Sequence, residues 1–259
     1  MSTAAEPPSS IAPAIADRAA ALAPRHDVLF VHIQKTAGIS LYNAIARAYG
    51  ADRSMRFARS SDAYKAQYLE MPDAELRGFR LLSGHFNLPF WQRRDLGPRV
   101  VVSVVREPVE RVLSTYRYIR SWKGHRRHAS AGQMSIEAFV DDYAGDTARH
   151  NVQCTRLCGK PDCAEALAAA HAHVDLLGSV EALPLLTAEL AAVLGATIDV
   201  GVDNRSSVDS PRRADLDPKL VAALLACNAE DAKLWGHVTA QGVVRGHVLR
   251  DGAPAALRA

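Results

Sequence analysis

Two nearly continuous apolar runs, residues 27–33 (DVLFVHI) and residues 99–105 (RVVVSVV), constrain the fold more than any other feature of the chain. Such runs are typical of parallel strands that are covered on both faces. Each run ends in a polar turn that precedes apolar residues at helical spacing. Further strands are expected near 79–86 and 175–180, and helices near 135–145, 164–172, 181–195 and 218–237. This alternation predicts an α/β fold with a doubly wound parallel sheet, whose ligands bind beyond the carboxyl ends of the strands.

The turn after the first run, residues 34–40 (QKTAGIS), has the composition of an anion site. A helix N-terminus offers unpaired N–H groups and a partial positive charge, and Lys35 adds a full charge beside it. The usual nucleotide loop, G-x4-G-K-[ST], is absent, and the strands do not end in an acidic residue that could hold magnesium. These absences argue against a magnesium-dependent kinase, which is the weakest of the alternatives.

The second run ends in Arg106, and a helix is predicted to begin at Pro108, a residue well suited to a first helical turn. Ser114 follows Arg106 by eight residues, about two helical turns. If this helix packs beside the sheet edge, Arg106 and Ser114 can hold a second phosphate, separate from the anion at Lys35.

3′-Phosphoadenosine 5′-phosphosulfate (PAPS), the sulfate donor, fits these two sites, because it carries two separate phosphate groups and needs no magnesium. FVHIQKTAGISL resembles the 5′-phosphosulfate loop of the carbohydrate sulfotransferases, in particular the heparan sulfate 2-O-sulfotransferase type, and VVREPVERVLSTYRY resembles their 3′-phosphate motif. GHF, NVQCTRLCG, DLLGSVEALPLLTAEL and DAKLWGHV resemble later blocks, so the resemblance spans about residues 27–238. It implies a P-loop-NTPase-like sulfotransferase architecture, PAPS as co-substrate without a metal, and a carbohydrate or other hydroxyl-bearing acceptor. Gln34 replaces a proline of the family pattern, and Ile39 replaces a threonine.

The resemblance also implies the roles of individual residues. Lys35 contacts the sulfuryl group and its leaving phosphate. The donor site as a whole comprises Lys35, Thr36, Ala37, Gly38, Ile39, Ser40, Arg106, Ser114 and, on a weaker match, Arg205. The general base is expected to be His85, which lies beside Gly84 at the end of the strand expected near 79–86 and has an unperturbed pKa near 6.5. His32 competes for this role, but its apolar neighbours favour a buried core histidine.

Two other clusters leave alternatives open. The cations between residues 117 and 128 form either a solvated helix end or a rim that attracts an acidic acceptor or the donor. Cys154, Cys158 and Cys163 have the spacing C-x3-C-x4-C, for which a metal site, a Cys158–Cys163 disulfide and ordinary reduced thiols are all considered.

Composition sets the remaining limits. A formal charge of +3 over 259 residues argues against a general nucleic-acid partner. No apolar run approaches the ~20 residues of a membrane span, and a cytoplasmic location is expected. Residues 1–26 are interpreted as a flexible lead-in, 27–245 as one sulfotransferase domain and 246–259 as a tail. A non-catalytic binder of phosphoadenosine nucleotides or sulfated ligands on the same fold is the alternative function.

Overall fold

A six-stranded sheet organises the computed structural model, which describes residues 24–58, 61–201 and 211–246. The described strands are β1 (Val28–Val31), β2 (Ser54–Phe57), β3 (Leu81–Gly84), β4 (Val100–Val105), β5 (Leu176–Ser179) and β6 (Val243–Arg245). Their order is β2-β3-β1-β4-β5-β6; the first five are parallel, and β6 pairs antiparallel with β5. The predicted α/β class with a mostly parallel sheet is confirmed, with an antiparallel edge strand added.

Twelve α-helices lie in the described part of the chain. They are α1 (Gly38–Tyr49), α2 (Asp62–Glu70), α3 (Asp73–Gly78), α4 (Leu88–Trp91), α5 (Pro108–Ser121), α6 (His128–Ala131), α7 (Ile136–Ala144), α8 (Val152–Cys158), α9 (Cys163–His173), α10 (Leu183–Leu194), α11 (Pro218–Cys227) and α12 (Ala229–Gln241).

Alternate residues of β1 face opposite sides of the sheet, as the pleat requires. Leu29 and Val31 join a core cluster with residues of α8, α9 and α12. Val28 and Phe30 join a second cluster with residues of α1 and α10. Both faces of β1 are therefore covered by helices, which explains why its sequence is continuously apolar.

The predictions differ from the structure in two segments. The sequence predicts no strand or helix in residues 51–78, yet this segment contains β2, α2 and α3. β2 escapes prediction because it is a partly exposed edge strand without a clear apolar alternation. The predicted helix 218–237 is two helices that meet at Asn228. The buried Asn228 side chain donates to the Leu224 carbonyl and accepts from the Asn151 amide, so it ends α11 and ties the break to the start of α8.

Within residues 24–58, 61–201 and 211–246, no helix combines the length and apolarity that a membrane span needs. The cytoplasmic location and the division into a lead-in, one domain and a tail stay predictions.

Candidate functional site

The loop between β1 and α1 has an unusual backbone. Lys35 and Ala37 have φ values of 69° and 58°, in the left-handed region that residues with a Cβ seldom occupy. Ala37 is the N-cap of α1 and supplies no side-chain hydrogen bond to the first turn. Thr36 is fully buried, and its hydroxyl donates to the Ile33 carbonyl at 2.9 Å, so in the free protein this hydroxyl closes the turn and does not face a ligand. Backbone strain of this kind clusters at ligand sites.

Gly38 is required at the start of α1 because His32 occupies the neighbouring space. A Cβ at Gly38 would lie 1.9 Å from His32 Nε2. His32 is 5% exposed, its ring stacks on Phe30, and it meets the His85 ring edge-on with 4.5 Å between centroids. The predicted core histidine is therefore buried, and it also links the loop to His85.

Lys35 lies close to other cations. Its Nζ is 4.1 Å from the centroid of the Tyr118 ring. Burial, followed by repulsion from Arg106 and Arg117, lowers the pKa of Lys35 from 10.5 to about 8. An anion at this position would relieve both effects.

Arg106 adjoins Lys35 directly. One guanidinium nitrogen donates to the Lys35 carbonyl at 3.4 Å, and another pairs with Glu110 at 3.3 Å. Its Nε is buried without a hydrogen-bond partner among the described residues. Buried donors are rarely left unpaired, so this nitrogen is a candidate contact for a bound ligand.

The backbone of Arg106 is held by Gln153 of α8, which is fully buried. The Gln153 side chain accepts from the Arg106 amide at 2.8 Å and donates to its carbonyl at 2.9 Å. α8 in turn is capped by α12: the Asp231 carboxylate accepts from the amides of Gln153 and Cys154. The position of Arg106 thus depends on helices more than 40 residues away in sequence.

The remaining predicted donor residues have different placements. Ser114 lies half-buried on α5, two turns beyond Arg106. Ile39 is 45% exposed and Ser40 half-buried in the first turn of α1. Arg205 lies outside the described residues. Arg117, which was predicted only as part of the basic segment, pairs with Glu110 at 3.6 Å and belongs to the Lys35 group.

His85 follows β3 and lies partly buried beside His32. Burial, then repulsion from Arg156, Arg56 and Lys35, lowers the pKa of His85 to about 3. This pKa lies well below the unperturbed value near 6.5, because the fold buries the ring and places three cations around it, neither of which the sequence position reveals. His85 is neutral at physiological pH and able to accept a proton.

Sequence reasoning missed Arg156 and Arg56. Arg156 Nε donates to Gln34 Oε1 at 3.2 Å, and burial, followed by repulsion from Arg111, lowers the pKa of Arg156 to about 10. Gln34, which replaces the family proline, therefore holds Arg156 against the loop. Arg56 lies on β2 with its guanidinium over the Tyr42 ring. The block NVQCTRLCG contained Arg156 without suggesting a role, and Arg56 lay in the strand that was not predicted.

Other candidate groups have ordinary structural roles. All four cysteines, each within the described residues, are free thiols, so the Cys158–Cys163 disulfide is absent from this structure. No metal-binding group of histidine, cysteine and acidic side chains occurs in the part of the chain that is described. In the basic segment, Arg127 pairs with Asp142, and Arg120 lies over the Tyr116 ring.

Three neighbouring strands bring the main residues together. Lys35 follows β1, His85 follows β3 and Arg106 follows β4, and β1 lies between the other two. Carboxyl ends of parallel strands share one edge of the sheet, so residues 71 positions apart meet there. The result is a cluster of cationic side chains beside the neutral imidazole of His85, an arrangement suited to binding a polyanion and removing a proton.

The model of a family described as "Sulfotransferase family" matches residues 18–236 of the chain. No curated protein matches the sequence significantly. Among solved structures, the chain is similar to the crystal structure of a sulfotransferase from Alicyclobacillus acidocaldarius, with 15% sequence identity and a TM-score of 0.48 over 83% of this chain and 96% of that chain.

Proposed function

The chain belongs to the sulfotransferase family, and on this premise we propose that it moves a sulfuryl group from PAPS to a hydroxyl group of a carbohydrate acceptor. One observation carries the proposal: Lys35, Arg106 and His85 follow three adjacent strands, and Lys35 lies close enough to both of the others to be part of one cationic cluster. No carboxylate group for magnesium is needed in this chemistry.

In the proposed reaction the acceptor oxygen attacks sulfur, a new S–O bond forms, and the bond from sulfur to the bridging phosphate oxygen breaks. The electron pair of the broken bond passes to the 5′-phosphate, where Lys35 and the amides of residues 37–40 stabilise the growing charge. His85 accepts the acceptor proton. Arg106, with Ser114 and Arg117, holds the 3′-phosphate and so orients the donor.

Glu110 contacts both guanidinium groups that are proposed to hold the 3′-phosphate. Its carboxylate accepts from Arg106 and from Arg117 and also from the Arg213 amide at 2.9 Å. It neutralises part of the positive charge in the free protein and keeps both guanidinium groups near the pocket. A phosphate would add contacts to the unused donors, such as Arg106 Nε.

The alternative is a non-catalytic binder of phosphoadenosine nucleotides on the same fold. One observation favours it: a histidine with a pKa of about 3 is a weak base in the free protein. Bound phosphates would oppose the field of Lys35, Arg56 and Arg156 and thereby raise the pKa of His85. The two functions therefore differ in turnover and not in nucleotide binding.

Thermal unfolding with 3′-phosphoadenosine 5′-phosphate (PAP), compared with ATP and magnesium, tests the donor assignment. At a ligand concentration 100 times Kd, PAP should raise Tm by about 5 to 10 °C, whereas ATP with magnesium should have little effect. Equal stabilisation by both ligands, or by neither, would contradict the proposal. Transfer of radiolabelled sulfate to a glycan panel then separates the enzyme from the binder.

A further inference from the structure

Two helices that are far apart in sequence, α8 and α12, cap each other. Asn151 is the N-cap residue of α8, but its side chain makes no hydrogen bond to its own helix. Its Oδ1 instead accepts from the amides of Glu230 and Asp231 in the first turn of α12. In return, the Asp231 carboxylate accepts from the amides of Gln153 and Cys154 in the first turn of α8. Each helix thus satisfies two first-turn amides of the other, an arrangement that we call the reciprocal cap.

The groups of the reciprocal cap are shielded from solvent. Asp231, Gln153 and Asn228 are fully buried, and Asn228 Oδ1 accepts from the Asn151 amide at 3.2 Å. Burial raises the pKa of Asp231, whereas the charge of Arg111 and the two amide hydrogen bonds lower it. A buried carboxylate that lost an amide partner would have no solvent to replace it. The Asp231 carboxylate therefore fixes where the first turn of α8 lies.

Gln153 carries this constraint from α8 to the donor site. Its side chain accepts from the Arg106 amide at 2.8 Å and donates to the Arg106 carbonyl at 2.9 Å. Arg106 lies between the last residue of β4 and the N-cap of α5, so Gln153 takes the place of the partners that a neighbouring strand would supply. A shift of α8 would therefore move the Arg106 backbone and redirect its guanidinium group.

Arg156 gives α8 a second contact with the site. It lies three residues beyond Gln153, and residues at this spacing are neighbours on a helix surface. Its Nε donates to Gln34 Oε1 at 3.2 Å, and its charge is the largest cause of the lowered pKa of His85 after burial. The placement of α8 thus affects both the loop after β1 and the surroundings of His85.

We propose that Asp231 is a positioning residue for donor binding: through the first turn of α8 and through Gln153, it holds Arg106 in the orientation that receives the 3′-phosphate. This inference rests on the proposed function, which assigns Arg106 to that phosphate. The connection consists of two short hydrogen bonds, from the Gln153 amide to Asp231 at 3.1 Å and from the Arg106 amide to Gln153 at 2.8 Å. Both are buried or partly buried, so solvent does not compete for them.

Calorimetry with PAP and with adenosine 5′-phosphate, which lacks the 3′-phosphate, tests this role. Asp231→Asn keeps the shape of the side chain but turns an N–H group toward one of the two α8 amides. The affinity for PAP should fall about tenfold, whereas the affinity for adenosine 5′-phosphate should stay within about twofold of the wild-type value. Equal losses for both nucleotides, or an unchanged PAP affinity in the folded variant, would overturn the proposal.

Leu190→Ala is the matched control for a loss of stability. Leu190 is fully buried on α10 and belongs to the core cluster on the other side of the sheet from α8. Its truncation should lower Tm without a contact to the reciprocal cap, and the ratio of the two nucleotide affinities should keep its wild-type value. A ratio that falls as much in Leu190→Ala as in Asp231→Asn would overturn the proposal, because reduced stability alone would then explain the effect.

A double variant tests whether Asp231 acts through Gln153. Gln153→Met removes both hydrogen bonds to Arg106 and should lower the PAP affinity about tenfold or more. Asp231→Asn, added to Gln153→Met, should lower the affinity no further, because the connection is already broken. Losses that multiply in the double variant would overturn the proposal, since Asp231 would then act by another route.

Asn151→Gly keeps the test decisive if Asp231→Asn does not fold. Glycine tolerates the left-handed φ of 47° at this position but removes the side chain that caps α12. A selective loss of PAP affinity of about threefold is expected in this variant. An unchanged ratio of nucleotide affinities in folded Asn151→Gly and Gln153→Met would overturn the proposal. A wild-type protein that does not bind PAP counts instead against the proposed function.

Discussion

The lowered pKa of Lys35 predicts that nucleotide affinity falls as the pH rises through 8. With a pKa of about 8 in the free protein, about three quarters of the Lys35 side chains are charged at pH 7.5 and about one tenth at pH 9. A bound 5′-phosphate restores the charged form, because it adds a negative charge where Arg106 and Arg117 had imposed repulsion. The affinity for PAP should therefore fall about eightfold between pH 7.5 and pH 9, with uptake of a proton on binding at the higher pH.

Calorimetry in two buffers with different ionisation enthalpies measures both the affinity and the proton uptake. Lys35→Arg is the matched control, since a guanidinium group stays charged over this range and should remove the pH dependence. A wild-type affinity that is constant from pH 7.5 to pH 9, or a Lys35→Arg variant with the same slope as the wild type, would refute the reasoning.

The lowered pKa of Lys35 also makes the stability of the fold depend on pH. The folded-state pKa lies below the unfolded value of 10.5, so between pH 8 and 10.5 the unfolded state binds more protons and stability rises with pH. Below pH 8 the charged Lys35 destabilises the fold by up to about 3 kcal/mol. Lys35→Met should therefore raise the free energy of unfolding at pH 7 by about 1 to 3 kcal/mol while abolishing donor binding. Urea titration measures this change, and a destabilised Lys35→Met variant would contradict it.

Three further predictions concern the neighbouring residues. His85→Ala should lower turnover about 10² to 10⁴-fold with PAP affinity nearly unchanged. A plot of wild-type kcat/KM against pH should show no rise near pH 6.5, because the pKa of His85 is about 3 in the free protein; a rise near pH 6.5 would show that the ring is less buried than in this structure. Gly38→Ala should lower the free energy of unfolding by about 1 to 3 kcal/mol, since the new methyl group overlaps the His32 ring. Adding His32→Ala should recover part of that loss in urea titration; a double variant that loses the sum of the two single losses would show that the overlap with His32 is not the cause. Arg106→Ala should weaken PAP binding by about 1.5 to 3 kcal/mol but hardly affect adenosine 5′-phosphate; equal losses for both ligands in calorimetry would remove Arg106 from the 3′ end.

The strands and the phosphate loop could be predicted from sequence because their signals are local. The run before Lys35 and the run before Arg106 are continuously apolar for the simple reason that helices cover both faces of β1 and β4. Pro108 at the first helical position and the lysine turn after β1 are likewise properties of neighbouring residues. Parallel pairing then requires that Lys35 and Arg106 share one sheet edge.

Only the tertiary structure decided which other groups reach that edge and what their protonation states are. Arg156 lies on a helix held by Asp231, and Arg56 lies on an edge strand whose sequence is too polar to be identified. Burial, followed by repulsion from these two arginines and Lys35, lowers the pKa of His85 to about 3. Burial and Coulomb interactions depend on distances through space, and residues 56, 85 and 156 are neighbours only because the sheet and α8 bring them together.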